Sequence, residues 1–193
     1  MLDECRRERY GVGFRHNEHS LRVVDVLEDL NLTEPVRDGI LRHSSGAGEP
    51  ATLEGKIVRL VDRIAYINHD IDDAVRFGIL ASDELPQEEV ALLGGTGARR
   101  IDTLVHDLVE HSSQAGDIVQ GDAVGEAMLS VRRFMFDRVY LGPHARGEHD
   151  RARTTIRRIF DSLVERGDDA DQIVTFVSGM TDRFALEYAE RIG

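Results

Sequence analysis

The longest run of helical periodicity in this sequence lies between Thr52 and Gly78, and it restricts the class of fold that the chain can adopt. Apolar residues recur there at steps of three and four positions, the spacing of one face of an α-helix. They are Leu53, Ile57, Leu60, Val61, Ile64, Ala65, Ile67 and Ile71. Thr52 can cap the start of this helix, and Gly78 can end it. We predict a single long helix over 52–77 that is buried on much of its circumference.

Shorter helical patterns fill most of the remaining sequence. We predict further helices over 17–30, 33–41, 86–93, 101–109, 123–140, 151–164 and 173–192, with Val36, Ile40 and Leu41 facing inward from the second. The stretch 1–13 has no such pattern, so we predict a loop or fragment end there, and we predict a further loop over 44–50. Because no repeat and no linker interrupts the pattern, the sequence predicts one all-α domain over 1–193.

The overall charge excludes several classes of binding protein. A net charge of −12 argues against a general nucleic-acid or membrane-surface binder, because those proteins present a basic face. A few cations gathered in a cleft can still hold a small phosphate compound.

Cysteine content and hydropathy limit the location of the chain. The lone Cys5 excludes an internal disulfide framework, and no apolar run approaches the length of a membrane span. These features favour a cytoplasmic protein.

Three polar residues of the long helix are candidates for a site. Asp62, Tyr66 and Asp70 follow one another at four-residue spacing, which places their side chains along one helical face. Apolar neighbours surround Asp62, and a carboxylate in apolar surroundings is costly unless it is paired or binds a metal. The alternative is a solvated acidic face in which Asp62 pairs with Arg59 or Arg63. From spacing alone we favour the solvated face.

Histidines suggest two further candidates. His16 precedes a predicted helix, where an imidazole and backbone donors can meet an anion, and His19 lies one turn later. A pair of histidines can bind a metal, although a histidine at a helix start is more often a surface residue. The His149–Asp150 dipeptide lies in a charged segment, which favours a solvated helix start. The glycine-rich stretch 93–97 lacks the Gly-Lys-Ser/Thr ending of a phosphate loop and is interpreted as a connection between helices.

Five segments of the chain together resemble one protein family, the bacterial dGTPase-like HD-domain deoxynucleoside triphosphate triphosphohydrolases. They run in family order along nearly the whole chain, and the long-helix block is the most specific of them. The segments are GFRHNEHSLRVVD (13–25), LEGK with VRLVDRIAYINHDIDD (53–56 and 58–73), RIDTLV (100–105), FMF (134–136) and SGMTDRFA (178–185).

This resemblance implies an HD-domain-like helical fold and hydrolysis of a dNTP to a deoxynucleoside and inorganic triphosphate. The family's divalent metal, Mg²⁺, Mn²⁺ or similar, is held by a His, an adjacent His-Asp pair and a later Asp, and by resemblance Asp62 is that later Asp. Tyr66 and Asp70 match positions lining the sugar pocket near the 3′-hydroxyl. Arg63 matches a cationic position near the phosphates, and His16 matches a histidine that assists catalysis. Family members also form homo-oligomers.

The resemblance is incomplete at the metal site. Three of the four metal ligands of the family have no counterpart here, and His19 replaces the glutamine usual in its motif. We therefore expect an N-terminally truncated HD-domain-like fold, the C-terminal portion of such an enzyme, that holds no metal tightly and is inactive alone. A longer gene product, a short paralogue or a second polypeptide that supplies the missing part would each explain the truncation. The alternative function is a non-catalytic helical module for oligomerisation or nucleotide binding.

Overall fold

The computed structural model describes residues 1–44 and 46–192, with Pro143 and His144 described in their backbone only. No strand occurs over these ranges, so the predicted all-α class is confirmed. The α-helices are α1 (Leu2–Tyr10), α2 (His16–Arg22), α3 (Glu34–Arg42), α4 (Leu53–Arg76), α5 (Gln87–Leu93), α6 (Gly97–Ala115), α7 (Asp122–Met135), α8 (Pro143–Arg166), α9 (Ala170–Ser178) and α10 (Asp182–Arg191). Across the described chain, no helix is both long enough and apolar enough to cross a membrane.

The chain divides into two compact units. Unit 1 comprises Met1–His19 together with Arg146–Gly193, and unit 2 comprises Ser20–Ala145. Helices α2 and α8 each contain one of the boundaries between them. The single domain predicted over 1–193 stays a prediction.

Unit 1 is built around the second half of α8. Its core consists of Cys5, Ile159, Phe160, Leu163, Ile173 and Ala189. Helix α1 packs against α9, so the prediction of a loop over 1–13 is wrong. The first helix is stabilised by burial of Cys5 and by a hydrogen bond of 2.9 Å from Arg7 Nε to the Asp3 carboxylate one turn earlier. It ends at Gly11, whose positive φ of 70° suits a left-handed C-cap.

The predicted helix over 173–192 is also wrong, because the structure breaks it into two. Helix α9 ends at Ser178, and α10 begins at Asp182. A new N-cap explains the break: the Thr181 hydroxyl accepts a hydrogen bond of 3.3 Å from the backbone N–H of Phe184.

In unit 2, helix α4 packs against α3, α6 and α7, and α5 packs against α6 and α7. Buried apolar side chains of α4, α5, α6 and α7, and of the connection between α4 and α5, form one core. Its members are Ile64, Ile67, Ile71, Ala74, Leu80, Leu85, Leu93, Leu104, Ala127, Met128, Val131 and Met135. The buried α4 side chains in this core run from Ile64, at the middle of the helix, to Ala74.

The long helix has the predicted length but not the predicted burial. The Thr52 hydroxyl accepts a hydrogen bond of 3.1 Å from the backbone N–H of Gly55, which confirms the N-cap, and the helix ends one residue before Phe77. Leu53, Ile57 and Val58 are exposed. The prediction that α4 is buried on much of its circumference is therefore wrong for its first half.

Other predicted apolar faces are also open to solvent. Helix α2 gives way at Val23 to a π-helical turn, Val23–Leu27, and the predicted stripe continues into exposed residues at Val26, Leu27 and Leu30. Val36 of α3 is exposed instead of facing inward. A second π-helical turn, Phe136–Tyr140, follows α7. Exposed apolar residues of unit 2 therefore occur on α3 and on the first half of α4.

Candidate functional site

Helix α4 carries four of the five predicted site residues. Asp62, Tyr66 and Asp70 lie one above another, about 6 Å apart along the helix axis at each step, and Arg63 lies beside them. The fifth, His16, is the first residue of α2 and belongs to unit 1. The structure therefore brings the four residues of α4 together on one rigid element.

Asp62 is an exposed carboxylate at the edge of an apolar groove. Among the described residues it makes no hydrogen bond or ion pair, and Arg59 donates instead to the backbone carbonyl of Gly48. Asp62 is thus exposed to solvent, as on the predicted solvated face, but the predicted pairing with Arg59 or Arg63 is wrong. The groove occupies about 560 Å³, and its lining also includes Pro35, Val36, Gly39, Ile40, Gly55 and Val58. We call this feature the α3/α4 groove.

Tyr66 is half-buried, and its ring packs against the core of unit 2. Arg132 of α7 donates a hydrogen bond from Nε to the Tyr66 hydroxyl at 2.8 Å. Sequence reasoning did not single out Arg132, because the two residues are 66 positions apart and only the packing of α7 on α4 brings them together.

Asp70 is a partly buried carboxylate without a hydrogen-bond donor among the residues that the structure describes. Its pKa is raised above the usual range, first by burial and then by repulsion from Asp73, while His69 acts in the opposite direction. A carboxylate whose pKa is shifted by desolvation, and which no donor satisfies, is typical of a binding or catalytic position.

A largely buried polar network connects α4 with α6. Arg100 of α6 donates from Nε to the Asn68 side-chain oxygen at 2.8 Å and from an Nη to the Asp72 carboxylate at 2.9 Å. The Asn68 amide in turn donates to the Ile64 carbonyl at 2.7 Å. Arg100 and Asn68 are both buried. The network joins α4 to α6 at the same level as Tyr66 and Asp70.

Arg63 lines a basic cavity of about 360 Å³ together with Lys56 and Arg59. Lys56 is held by Asp117 at 2.8 Å and by Glu49 at 3.4 Å, and the hydrogen bond to Asp117 is the main reason that the pKa of Lys56 is raised. Arg63 makes no ion pair with any residue that the structure describes. Because Lys56 is paired with carboxylates and Arg59 donates to the Gly48 carbonyl, Arg63 is the lining cation that makes no hydrogen bond or ion pair among the described residues.

The histidines of unit 1 have different surroundings. His16 is exposed at the start of α2, as predicted for a helix-start histidine. The His19 Nε2 lies 2.9 Å from the Ser178 hydroxyl, and the His19 ring lies 5.6 Å from that of Phe14. These contacts assign His19 a packing role within unit 1.

A metal centre does not assemble from the described residues. They contain no group of three or more His, Cys, Asp or Glu side chains placed to hold an ion. Asp62 can supply one carboxylate ligand, but one carboxylate does not form a site for a divalent metal. His149 and Asp150 are exposed residues within α8, in agreement with their interpretation as a solvated segment.

Comparison with known proteins identifies relatives of the chain. The model of the phosphohydrolase-associated domain matches residues 118–172. A protein of Caldanaerobacter subterraneus subsp. tengcongensis named deoxyguanosinetriphosphate triphosphohydrolase-like protein is 39% identical over 192 residues, which cover 90% of this chain. The chain is a homologue of the deoxyguanosinetriphosphate triphosphohydrolase-like proteins. Relatives of the same name from Clostridium perfringens strain 13 and Desulfatibacillum aliphaticivorans are 35% and 33% identical over 93% and 96% of the chain.

The matched region does not extend over the whole of these relatives. It covers 56% of the Caldanaerobacter protein, 60% of the Clostridium protein and 63% of the Desulfatibacillum protein. The homology confirms the resemblance drawn from the sequence motifs, and it applies to the part of the relatives that this chain matches.

Proposed function

We propose that this chain is the nucleotide-binding part of a metal-dependent phosphohydrolase that cleaves a dNTP to a deoxynucleoside and triphosphate. The observation that carries the proposal is the arrangement on α4, where two carboxylates without partners among the described residues flank a tyrosine held by an arginine. The names of the relatives support the reaction class.

Each α4 residue has a role that suits its surroundings. Asp70 and Tyr66 would bind the deoxyribose, because a carboxylate accepts a hydrogen bond from a sugar hydroxyl and a phenol can donate or accept one. Arg63, in the basic cavity, would contact the phosphates. For His16 the resemblance implies a role in assisting catalysis.

Asp62 would be one ligand of the Mg²⁺ or Mn²⁺ that such an enzyme uses. The described residues do not complete this site, so the remaining ligands would come from a segment equivalent to the part of the relatives beyond the match. This arrangement explains why a carboxylate without a partner faces the open α3/α4 groove. The enzyme would act in the cytoplasm and as a homo-oligomer.

Nucleotide binding tests the proposal directly. We expect the purified chain to bind dGTP by isothermal titration calorimetry. We expect Asp70→Asn to weaken binding, because it removes the negative charge and replaces one of the two accepting oxygens by an NH2 donor. Asp102→Asn is the matched control, since Asp102 is an exposed carboxylate on α6. Absence of binding, or equal effects of the two substitutions, would contradict the proposal.

Product analysis tests the metal assignment. With Mn²⁺ or Mg²⁺ present, the purified chain should release no triphosphate from dGTP, because Asp62 alone does not hold the ion. Anion-exchange chromatography of the products checks this expectation. Release of triphosphate that disappears in Asp62→Ala would show that the chain assembles a complete metal site. It would overturn the proposal that the remaining ligands come from another segment.

The α3/α4 groove favours a second candidate function, a non-catalytic module that associates with another copy of the chain. An open apolar groove beside the exposed Leu53 and Ile57 is the kind of surface that protein partners cover. Sedimentation velocity should then show an oligomer that Val58→Lys dissociates. Val109→Lys is the control, since Val109 is an exposed valine on α6. A monomer at all concentrations would exclude this candidate.

A further inference from the structure

Arg132 is a partly buried arginine without the acidic partner that such a residue usually has among the residues that the structure describes. It is half-buried on α7, and its Nε donates to the Tyr66 hydroxyl at 2.8 Å. No carboxylate of the described residues lies within ion-pair distance of it, although the chain carries 36 acidic residues against 24 lysines and arginines. Among the described residues, its side-chain hydrogen bond is to Tyr66, a residue of the proposed site.

The chemistry of this contact determines the direction of the tyrosine hydroxyl. A guanidinium has only donors, so the phenolic oxygen must be the acceptor in the Arg132–Tyr66 hydrogen bond. Arg132 cannot accept the hydrogen of the phenol, which is therefore left for a different acceptor. The guanidinium is planar and rigid, so its N–H group binds one particular lone pair of the Tyr66 oxygen. This restricts the directions that the O–H bond of Tyr66 can take.

The contact is not needed to hold the two helices together. Apolar side chains from both helices already pack in the core of unit 2, with Ile64 and Ile67 from α4 and Met128, Val131 and Met135 from α7. A single polar contact at the edge of that core adds little to the packing. Its effect is concentrated on the orientation of the Tyr66 hydroxyl.

We propose that Arg132 is a positioning residue that fixes the Tyr66 hydroxyl as a hydrogen-bond donor to an oxygen of the bound nucleotide, either a sugar hydroxyl or a phosphate oxygen. This inference rests on the proposed function, in which Tyr66 contacts a dNTP. It adds that Tyr66 recognises an acceptor, and that the recognition depends on a residue of a different helix.

The first measurement examines the hydrogen bond without nucleotide. Ultraviolet resonance Raman spectra of tyrosine report whether a phenolic oxygen accepts or donates, and the absence of tryptophan keeps the tyrosine signal clear. The difference between the parent chain and Tyr66→Phe isolates Tyr66. We expect an acceptor signature that Arg132→Met removes, that Arg132→Lys keeps in part, and that the neighbouring control Arg133→Met leaves intact. An unchanged signature in Arg132→Met would overturn the proposal.

The second measurement is the dissociation constant for dGTP. Loss of one hydrogen bond predicts roughly 3- to 10-fold weaker binding for Tyr66→Phe and for Arg132→Met. The double variant should be no weaker than Tyr66→Phe alone, because Arg132 acts only through Tyr66. Additive losses would mean a separate role for Arg132 and would overturn the positioning role. Arg132→Lys should recover part of the affinity.

Two further ligands identify the acceptor. If Tyr66 donates to the sugar, the effect of Tyr66→Phe disappears with 2′,3′-dideoxy-GTP, and if it donates to a phosphate, the effect disappears with deoxyguanosine. An equal effect with all three ligands would overturn the proposed acceptor. A parent chain that shows the Raman signature but binds no dGTP would refute the proposed function and the acceptor together. Binding that Arg132→Met leaves unchanged would refute the positioning role alone.

Discussion

Replacing Arg100 by methionine should destabilise the chain through the buried network that joins α4 to α6. Arg100 is 3% exposed, and its main partner Asn68 is 1% exposed. Methionine keeps most of the volume and the apolar stem of arginine but has no donor. The Asn68 side-chain oxygen would then remain buried without a hydrogen bond.

The size of the effect follows from the exposure of the two partners. A buried acceptor that loses its donor costs about 1–3 kcal/mol. The Asp72 side chain is 59% exposed, so its ion pair with Arg100 should contribute at most about 1 kcal/mol. Improved apolar burial of the methionine offsets part of this sum. We expect a loss of about 2 kcal/mol, which corresponds to a decrease in Tm of roughly 4–8 °C for a chain of this size.

Thermal and urea denaturation followed by circular dichroism measure this change. Arg99→Met is the matched control, because Arg99 is the adjacent residue of α6 and is exposed. A double variant with Asn68→Leu should recover much of the loss, since replacing both partners by apolar groups leaves no unsatisfied acceptor. If Arg100→Met and Arg99→Met melted at the same temperature, or if the double variant were less stable than Arg100→Met, the reasoning would be refuted.

Three further predictions concern single residues. Because the raised pKa of Asp70 means that folding disfavours its ionised form, Asp70→Asn should raise the Tm at neutral pH, and the gain should vanish in acid where the parent carboxyl is protonated in both states. Thr52→Ala should cost about 0.5–2 kcal/mol by removing the acceptor for the Gly55 N–H, whereas Thr33→Ala should cost less in the same urea titration, because Thr33 makes no such bond. Burial raises the pKa of the Cys5 thiol, so iodoacetamide should alkylate the folded chain much more slowly than the chain in urea; equal rates would contradict the burial.

Local patterns predicted the helices well where caps and apolar spacing agreed. Thr52 and the apolar spacing that follows it predicted α4, and the relatives found by comparison confirm the resemblance drawn from the motifs. The same patterns failed where a tertiary contact decided the structure. Cys5 stabilises α1 only because unit 1 buries it, and the cap at Thr181 competes with continuation of α9.

The candidate site was predictable in its members but not in its connections. Spacing placed Asp62, Tyr66 and Asp70 on one face of a helix, because four-residue steps are a local property of the backbone. No local rule could pair Tyr66 with Arg132, since that contact depends on how α7 packs against α4. Spacing also could not show that the first half of α4 is exposed, because an apolar residue looks the same in sequence whether or not a partner covers it.

The uninterrupted helix between Asp62 and Asp70 holds these two residues at a fixed distance from each other. Eight residues at the rise of an α-helix separate these two carboxylates by about 12 Å along the axis. The two short side chains can change this separation by only a few ångströms, and no hinge lies between the two positions. A molecule that contacts both carboxylates at once must therefore be extended, and one much shorter must give up one contact. The backbone of α4 would thus select ligands by length before any difference in base or charge is considered.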